Sequence, residues 1–246
     1  MVKFVVFCTK IIAATIAAVL FSSCHANVNW GEGLDGDGNV TTEKRNVEGN
    51  FSKVDVSRGL NVTLEQGDAY FVEVEADQNL QEHITAKVEN GTLIITTNEN
   101  IDEASSQTVH VKMPSLAALT IASGSSVNAM NVFSGTNIAV KTSSGSEANL
   151  SLEYDNVDCE SSSGSTLTVK GKALKLKTDS SSGSEIVAQG LLVNEVVSQS
   201  TSGSSTNVHP LVSLNAKASS GSSIDYDSSP KTVSKEESSG GSVSKE

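Results

Sequence analysis

The stretch Ser143-Ser144-Gly145-Ser146-Glu147-Ala148-Asn149-Leu150 is one copy of a unit that recurs along the second half of the chain. A Ser-Gly-Ser triplet returns at Gly124, Gly145, Gly164, Gly183, Gly203 and Gly221, and a Ser-Gly-Gly-Ser variant follows at Gly240. Successive glycines are 21, 19, 19, 20, 18 and 19 residues apart. A short fixed period is the signature of a repeat architecture, so this half of the chain is predicted to be a solenoid.

Apolar residues keep in step with these glycines. Three and five residues after each glycine stand Val127, Ala148, Leu167, Ile186, Thr206 and Ile224, and then Ala129, Leu150, Val169, Ala188, Val208 and Tyr226. Seven and five residues before the next glycine stand Ile138, Val157, Leu176, Val196 and Leu214, and then Val140, Cys159, Thr178, Ser198 and Ala216. Positions two apart share one face of a strand. The pattern therefore predicts an all-β, right-handed parallel β-helix with Ser-Gly-Ser corners about every 19 residues, because right-handed crossovers dominate parallel sheets.

The serine-rich composition allows a competing interpretation, a flexible Gly/Ser linker. The aliphatic columns favour the solenoid, because a linker has no need to keep apolar residues in register. Within the columns, Cys159 falls among small residues and is predicted to be a buried packing residue.

The composition excludes several classes of protein. The chain has 246 residues, with 17 Lys+Arg against 29 Asp+Glu and a formal net charge of −12. This acidic balance argues against a nucleic-acid partner, which needs clustered basic residues. The three cysteines are too few for a disulfide scaffold. Aromatic residues make up only 4%, so the core is expected to consist of small aliphatic groups.

The N-terminus has the pattern of an export signal. Lys3 and Lys10 precede an apolar run that ends at Phe21-Ser22-Ser23-Cys24. Small residues before a cysteine predict a lipoprotein signal over residues 1–23 and lipidation of Cys24; an ordinary signal peptide is the alternative. Removing two lysines and no acids changes the net charge from −12 to −14. The predicted location is the bacterial outer membrane, on its periplasmic or its cell-surface face.

The rest of the chain divides into a tether and one domain. Residues 24–40 are rich in Gly, Asn and Asp and are predicted to be a flexible tether. Residues 41–246 are predicted to be a single domain, with N-terminal strands over 41–121 and repeat rungs over 122–246. Asn90-Gly91 predicts a β-hairpin, and a helical turn is expected around Asn79 to Ile84.

Specific segments outside the repeats carry a family resemblance. They are Phe51-Ser52-Lys53-Val54-Asp55-Val56, Gly59-Leu60-Asn61-Val62-Thr63-Leu64-Glu65-Gln66-Gly67 and Asn90-Gly91-Thr92-Leu93-Ile94-Ile95. With the Ser-Gly-Ser series, the chain from about residue 36 to its end resembles the auto-transporter adhesin, head-GIN-domain family of secreted bacterial proteins, known mostly from the Bacteroidota. The resemblance implies a parallel β-helix of the pectate-lyase-like type, often on a lipoprotein, with adhesion as the suggested role and no catalytic residues.

Few residues form a pattern typical of a catalytic site. The four histidines are scattered, without the spacing of a metal site. Lys170, Lys172, Lys175 and Lys177, with Glu185 one rung away, are the candidates for cleavage of an acidic polysaccharide. A solvated polar face is the alternative interpretation of these residues. A ladder formed by Ser163, Ser182 and Ser202 could instead bind an ordered surface such as ice or a crystalline polymer.

The function predicted from the sequence is a non-enzymatic, membrane-anchored envelope lipoprotein that acts as an adhesin or interaction scaffold. The alternative is a β-helix protein that binds or cleaves polysaccharide. No cofactor or metal is expected. The expected partners are the membrane, through the lipidated N-terminus, and a protein or glycan ligand; the sequence leaves the ligand and the oligomeric state open.

Overall fold

Ten short strands precede the repeats in the computed structural model, which describes residues 33–246. They are β1 (Leu34–Asp35), β2 (Val40–Lys44), β3 (Lys53–Val56), β4 (Asn61–Gln66), β5 (Phe71–Asp77), β6 (Ile84–Glu89), β7 (Thr92–Thr97), β8 (Ile101–Glu103), β9 (Gln107–Met113) and β10 (Ala118–Ile121). A single 3-10 turn, Gln78–Leu80, lies near the expected helical turn, and Ile84 already begins β6. No α-helix occurs within residues 33–246.

The N-terminal strands mix antiparallel and parallel pairs. Strand β5 runs antiparallel to both β2 and β9, while β4 runs parallel to β9. Strands β6 and β7 form the predicted hairpin around Asn90-Gly91. Both turn residues have positive φ, 49° and 74°, as a type I′ turn requires.

The compact unit of the strands begins at Leu34, inside the segment that the composition assigns to a tether. Strand β1 pairs in parallel with β8, and the amide of Asn79 donates a hydrogen bond to the Asp35 carbonyl. The backbone N–H of Asp37 donates in turn to Oδ1 of Asn79. Residues from Leu34 onward are therefore part of the fold.

Long bent strands follow, one for each repeat. They are β11 (Ser126–Thr142), β12 (Glu147–Ser161), β13 (Thr166–Ser180), β14 (Glu185–Ser200) and β15 (Ser205–Ser219), and the shorter β16 (Ser223–Tyr226), β17 (Thr232–Ser238) and β18 (Ser242–Lys245) complete the chain. Consecutive long strands pair in parallel, and the register shifts at bends such as Asn128 to Val132. The result is a β-solenoid of about 7 turns with a spacing of about 19 residues, which confirms the predicted fold class.

Each Ser-Gly-Ser unit is a tight corner between two rungs. In the second copy Ser144 and Gly145 have φ values of 55° and 69°, and the N–H of Ser146 donates to the Ser143 carbonyl at 3.3 Å. The N–H of Gly145 donates to the Ser163 carbonyl of the next rung at 3.1 Å. The same positive φ recurs at all six Ser-Gly pairs, and glycine adopts this left-handed conformation without the steric cost of a Cβ.

The core runs along the inside of the coil. The apolar members of the sequence columns are buried, except for Ala129, which is partly buried against the core. Cys159 is fully buried between Val140 and Thr178 of the neighbouring rungs, as predicted. Side chains of the same column stack at the strand spacing, so small aliphatic groups fill most of the interior, and few aromatic rings (Phe51, Phe133, Tyr154 and Tyr226) are buried with them.

Buried hydroxyl groups line one side of this interior. The serine that follows each repeat glycine is buried, and these residues are Ser125, Ser146, Ser165, Ser184, Ser204 and Ser222. The hydroxyl of Ser165 lies 2.9 Å from that of Ser161 and 3.1 Å from Thr142 Oγ1. Because every buried polar group needs a partner, the hydroxyls bond to one another and to backbone carbonyls across rungs.

Candidate functional site

The predicted site residues fall into three groups. Cys24, the predicted lipidation site, lies outside the described residues 33–246. The six repeat glycines lie at the corners, where a Cβ added to Gly145 or Gly164 would meet no atom within 4 Å. The first serine of each triplet, such as Ser163, is exposed beside its glycine. The corners therefore form a row of small groups on the surface.

The four lysines of β13 do not form one cluster with Glu185. Glu185 lies opposite Thr166, four residues before Lys170 in the register. The pairing of β13 with β14 is interrupted twice, which divides the rung into three arms, 166–168, 171–173 and 175–180 in β13. Lys175 and Lys177 lie on the third arm and pair with acidic groups of adjacent rungs, Glu195 at 3.6 Å and Asp158 at 3.5 Å. This arrangement matches the solvated polar face that the sequence left open.

That polar face is the outer surface of the third arm of the coil. Ion pairs also join Lys141 to Glu160, and Lys217 to Glu236, in cross-strand register. Asn156 donates to Oδ1 of Asn137 at 2.9 Å. Exposed pairs of this kind stabilise little, about 0–1 kcal/mol each. A shallow depression of about 490 Å³ crosses the face, which suits contact with an extended partner.

An apolar corner lies between the second and third arms. Leu174, Leu192 and Leu211 come from three consecutive rungs and are 51%, 42% and 43% exposed. They line a groove of about 440 Å³ together with Lys172 and Glu153. Three exposed leucines on one edge form a surface where an apolar group can pack.

Another groove lies where the N-terminal strands meet the first long rung, and we call it the junction groove. It measures about 610 Å³, and its apolar walls are Tyr70 and Phe71 on one side and Met130 of β11 on the other. Lys112 and Glu65 lie on its floor as an ion pair at 2.9 Å. It has the make-up of a ligand site, a mostly apolar cavity with a few convergent polar groups.

Neighbouring side chains hold the walls of the junction groove. The Tyr70 ring lies 4.7 Å from the buried Phe51 ring, at a tilt of 47°. The ammonium group of Lys44 lies 5.3 Å from the centre of the Phe71 ring. Gly67 leaves room for the Lys112 stem, because a Cβ there would come within 2.9 Å of Lys112 Cδ. The aromatic wall is therefore supported before any ligand arrives.

Two further polar groups border the same groove. The Thr63 hydroxyl lies 2.8 Å from Nδ1 of His110, while Nε2 of that ring lies 3.7 Å from a Glu75 carboxylate oxygen. Thr63 and His110 both line the groove, and both belong to the outer face of paired strands β4 and β9. Hydroxyl, imidazole, carboxylate and ammonium groups thus converge on one apolar cavity.

Sequence reasoning missed this groove, although one signal was present. The aromatic residues of the described chain number six, and Phe51, Phe133, Tyr154 and Tyr226 among them are buried. Tyr70 and Phe71 are the two that reach solvent, and they are adjacent. In a chain so poor in aromatic residues, an adjacent pair next to Gly67-Asp68 marks an exposed apolar site.

The buried titratable groups show no sign of reactivity. Burial, with a smaller effect of the Asp158 carboxylate, raises the pKa of Cys159 to about 12. Burial also raises the pKa of Tyr154 to about 12, against the opposing effect of its 2.6 Å hydrogen bond to the Leu116 carbonyl. Both groups stay neutral at pH 7, so neither serves as a nucleophile. Among residues 33–246, no group of His, Cys, Asp or Glu has the geometry of a metal site.

Within the described part of the chain, no helix is long and apolar enough to cross a membrane.

The comparison with protein families gives one match. Residues 50–230 match the family described as "Putative auto-transporter adhesin, head GIN domain". The comparison with curated proteins found no match.

Solved structures share the fold at low sequence identity. A putative adhesin from Bacteroides fragilis is 17% identical with a TM-score of 0.82, and the match covers 87% of this chain and 100% of that one. A putative adhesin from Parabacteroides distasonis is 22% identical with a TM-score of 0.71, at 87% and 100% coverage. A putative lipid binding protein from the same species is 19% identical with a TM-score of 0.71, at 87% and 99% coverage. At these identities the likeness concerns the fold alone.

Proposed function

Because the chain belongs to the family of putative auto-transporter adhesins with a head GIN domain, we propose that it is a non-enzymatic, lipid-anchored envelope protein that presents a solenoid for adhesion. Membership of an adhesin family implies an exported or surface protein. Beyond export, the proposal has three parts: an anchor at Cys24, the outer membrane as the site of anchoring, and the absence of catalysis.

The observation that carries the proposal is the regular outer face of the solenoid. Strands β11 to β15 and β17 align their outward residues in columns across six consecutive rungs. Such a face offers many equivalent contacts to an extended partner, whereas catalysis requires one unique constellation of groups. A repeated surface with shallow depressions supports binding better than turnover.

The paired lysines support the non-enzymatic interpretation. Cleavage of an acidic polysaccharide by Lys170, Lys172, Lys175, Lys177 and Glu185 would need these groups around one bond. Lys175 and Lys177 instead form ion pairs on one arm, and Glu185 lies opposite Thr166. Polysaccharide binding remains as the second candidate, because the junction groove combines aromatic walls with hydrogen-bonding groups.

The anchor is tested by replacing Cys24. In the parent chain, acyl groups at Cys24 would bury enough CH₂ groups for stable attachment, at about 0.8 kcal/mol each. We expect Cys24→Ala to move the protein from the membrane fraction to the soluble fraction after cell lysis, measured by immunoblotting. A matched Cys159→Ala variant should stay in the membrane fraction. If Cys24→Ala stays bound as firmly as the parent, the anchor is wrong.

Adhesion itself is tested on intact cells. Protease shaving should remove the domain from the cell surface, and cells without the protein should attach less well to host or extracellular-matrix surfaces. Full protection from protease in intact cells would contradict an adhesive role and support a periplasmic one.

A further inference from the structure

We propose that the junction groove binds a neutral saccharide. The inference rests on the proposed binding role and names a ligand class and a site for it. The groove lies where β4, β9 and the loop before β5 meet Met130 of the first long rung. It occurs once among the described rungs, in contrast to the repeated faces of the solenoid.

The apolar walls fit the carbon face of a sugar ring. Tyr70 is 36% exposed and Met130 is 66% exposed, the largest value among the exposed large hydrophobic residues of the described chain. Aromatic faces carry a negative quadrupole, which attracts the weakly positive C–H bonds on a sugar face. Because Phe51 supports the Tyr70 ring, little conformational entropy would be lost when a sugar stacks on it.

The polar floor fits the hydroxyl groups of the same ring. Glu65 accepts hydrogen bonds through its carboxylate, Lys112 donates through its ammonium, and the Thr63 hydroxyl can do either. A hydroxyl that bonds to a charged group forms a stronger hydrogen bond than one between neutral groups. The alternation of apolar wall and polar floor matches the alternation of C–H and O–H on a saccharide.

The charge of the groove selects a neutral ligand. The Glu65 carboxylate and the Lys112 ammonium lie 2.9 Å apart and compensate each other. The whole chain carries a formal charge of −12, which repels acidic polysaccharides at long range. An acyl chain would leave Glu65 and Lys112 desolvated without new hydrogen bonds, which is unfavourable.

The size of the groove also fits a small ligand. Its volume of about 610 Å³ lies within the range of about 300–1,000 Å³ for small-ligand sites.

The test is isothermal titration calorimetry on the full chain carrying Cys24→Ala, which prevents acylation. The neutral probes are cellotriose, maltotriose, mannotriose and tri-N-acetylchitotriose; tetragalacturonate is the acidic probe and dodecanoate the apolar one. We expect at least one neutral trisaccharide to bind more tightly than either of the other two probes. Failure of all four, or tighter binding of tetragalacturonate or dodecanoate, overturns the proposal.

Variants then locate the binding site. Tyr70→Ala and Glu65→Gln should each weaken binding of that trisaccharide at least tenfold. Tyr70→Phe keeps the ring and should bind within twofold of the parent. So should Leu192→Ala, a matched exposed apolar residue at the distant corner. Thermal melting confirms that each variant is folded. Unchanged affinity in folded Tyr70→Ala and Glu65→Gln contradicts the site.

The outcome is independent of adhesion. Cells without the protein can lose attachment while the purified chain binds no trisaccharide, in which case the saccharide inference fails and the proposed function stands. Conversely, trisaccharide binding at Tyr70 with unchanged attachment of cells supports the inference and counts against adhesion.

Discussion

Gly171 has less room around it than any of the six repeat glycines. It lies within β13 with a φ of 120°, and a Cβ placed there would lie 2.1 Å from the Leu152 carbonyl oxygen of the preceding rung. Gly164, at a corner, also has a positive φ of 70°, but an added Cβ would meet nothing within 4 Å. A side chain at Gly164 would therefore meet backbone strain alone, whereas a side chain at Gly171 would meet backbone strain and a steric clash.

Replacing these two glycines by alanine should have unequal effects. Gly164→Ala incurs only the left-handed backbone cost, about 1–2 kcal/mol. Gly171→Ala adds overpacking against the neighbouring rung, for a total of about 2–5 kcal/mol. Chemical denaturation of both variants measures the free energy of unfolding. Equal losses in the free energy of unfolding would show that the neighbouring rung moves away from residue 171 and accommodates the added methyl group.

The raised pKa of Cys159 predicts a loss of stability in alkali. The unfolded thiol ionises near its ordinary pKa of 9.0, while burial raises the pKa in the folded chain to about 12. Between these values the unfolded state binds fewer protons than the folded state. The free energy of unfolding should therefore fall with rising pH, by about 1.4 kcal/mol per pH unit from this group. Denaturation between pH 8 and 11 should show a shallower fall in Cys159→Ala, and identical slopes would contradict the assignment.

At the scale of the element, each corner is held by the serine after its glycine. The Ser165 hydroxyl contacts Ser161 and Thr142 inside the coil and donates to the Ser162 carbonyl at 2.8 Å. The backbone N–H of Ser162 points back to the same hydroxyl at 3.2 Å. One side chain thus closes the turn and joins it to the preceding rung.

Ser165 and Ser163 form a matched pair for testing this role. Ser165→Ala removes a buried hydroxyl from its partners and should destabilise the chain by about 1–3 kcal/mol. Ser163→Ala changes an exposed side chain of the same corner and should stay within about 0.5 kcal/mol of the parent. Thermal melting should separate the two variants by several degrees, at about 2–4 °C per kcal/mol. Coincident melting curves would mean that the buried hydroxyl network does not stabilise the coil.

At the scale of the whole molecule, charged residues close the core at its last described rung. In β17, Lys235 and Glu237 lie in register with the buried Ala216 and Ala218. The Lys235 ammonium donates to the Val243 carbonyl at 2.8 Å, and a Glu237 carboxylate oxygen accepts from the Val243 N–H at 2.6 Å. Inward-pointing charges on an edge strand discourage pairing with another chain.

Removing these charges should promote end-to-end association. The double variant Lys235→Val, Glu237→Val continues the apolar columns to an open edge and should form larger species, measured by light scattering after gel filtration. The control, Ser234→Val with Glu236→Val, places two valines at outward positions of the same strand. Elution of the first variant like the parent, or equal association of the control, would contradict the capping role.

The repeat pattern was enough to predict the solenoid, its corners and its inner columns. Side-chain alternation along a strand is local, and stacking repeats the same constraint once per rung, so the repeat pattern alone assigns Val157, Leu176 and Val196 to the interior. The buried state of Cys159 followed from the same register. The hairpin at Asn90-Gly91 was predictable because its turn depends on two residues alone.

The features that lack a period could be found only in the folded chain. Tyr70 and Met130 are 60 positions apart in the sequence, and they line one groove only because β4 pairs with β9 on one side and with β11 on the other. Gly171 is excluded from carrying a side chain by a carbonyl of another rung, which no local pattern records. Such contacts depend on how the non-repeating strands pack onto the first rung, and that packing is the sum of many distant interactions.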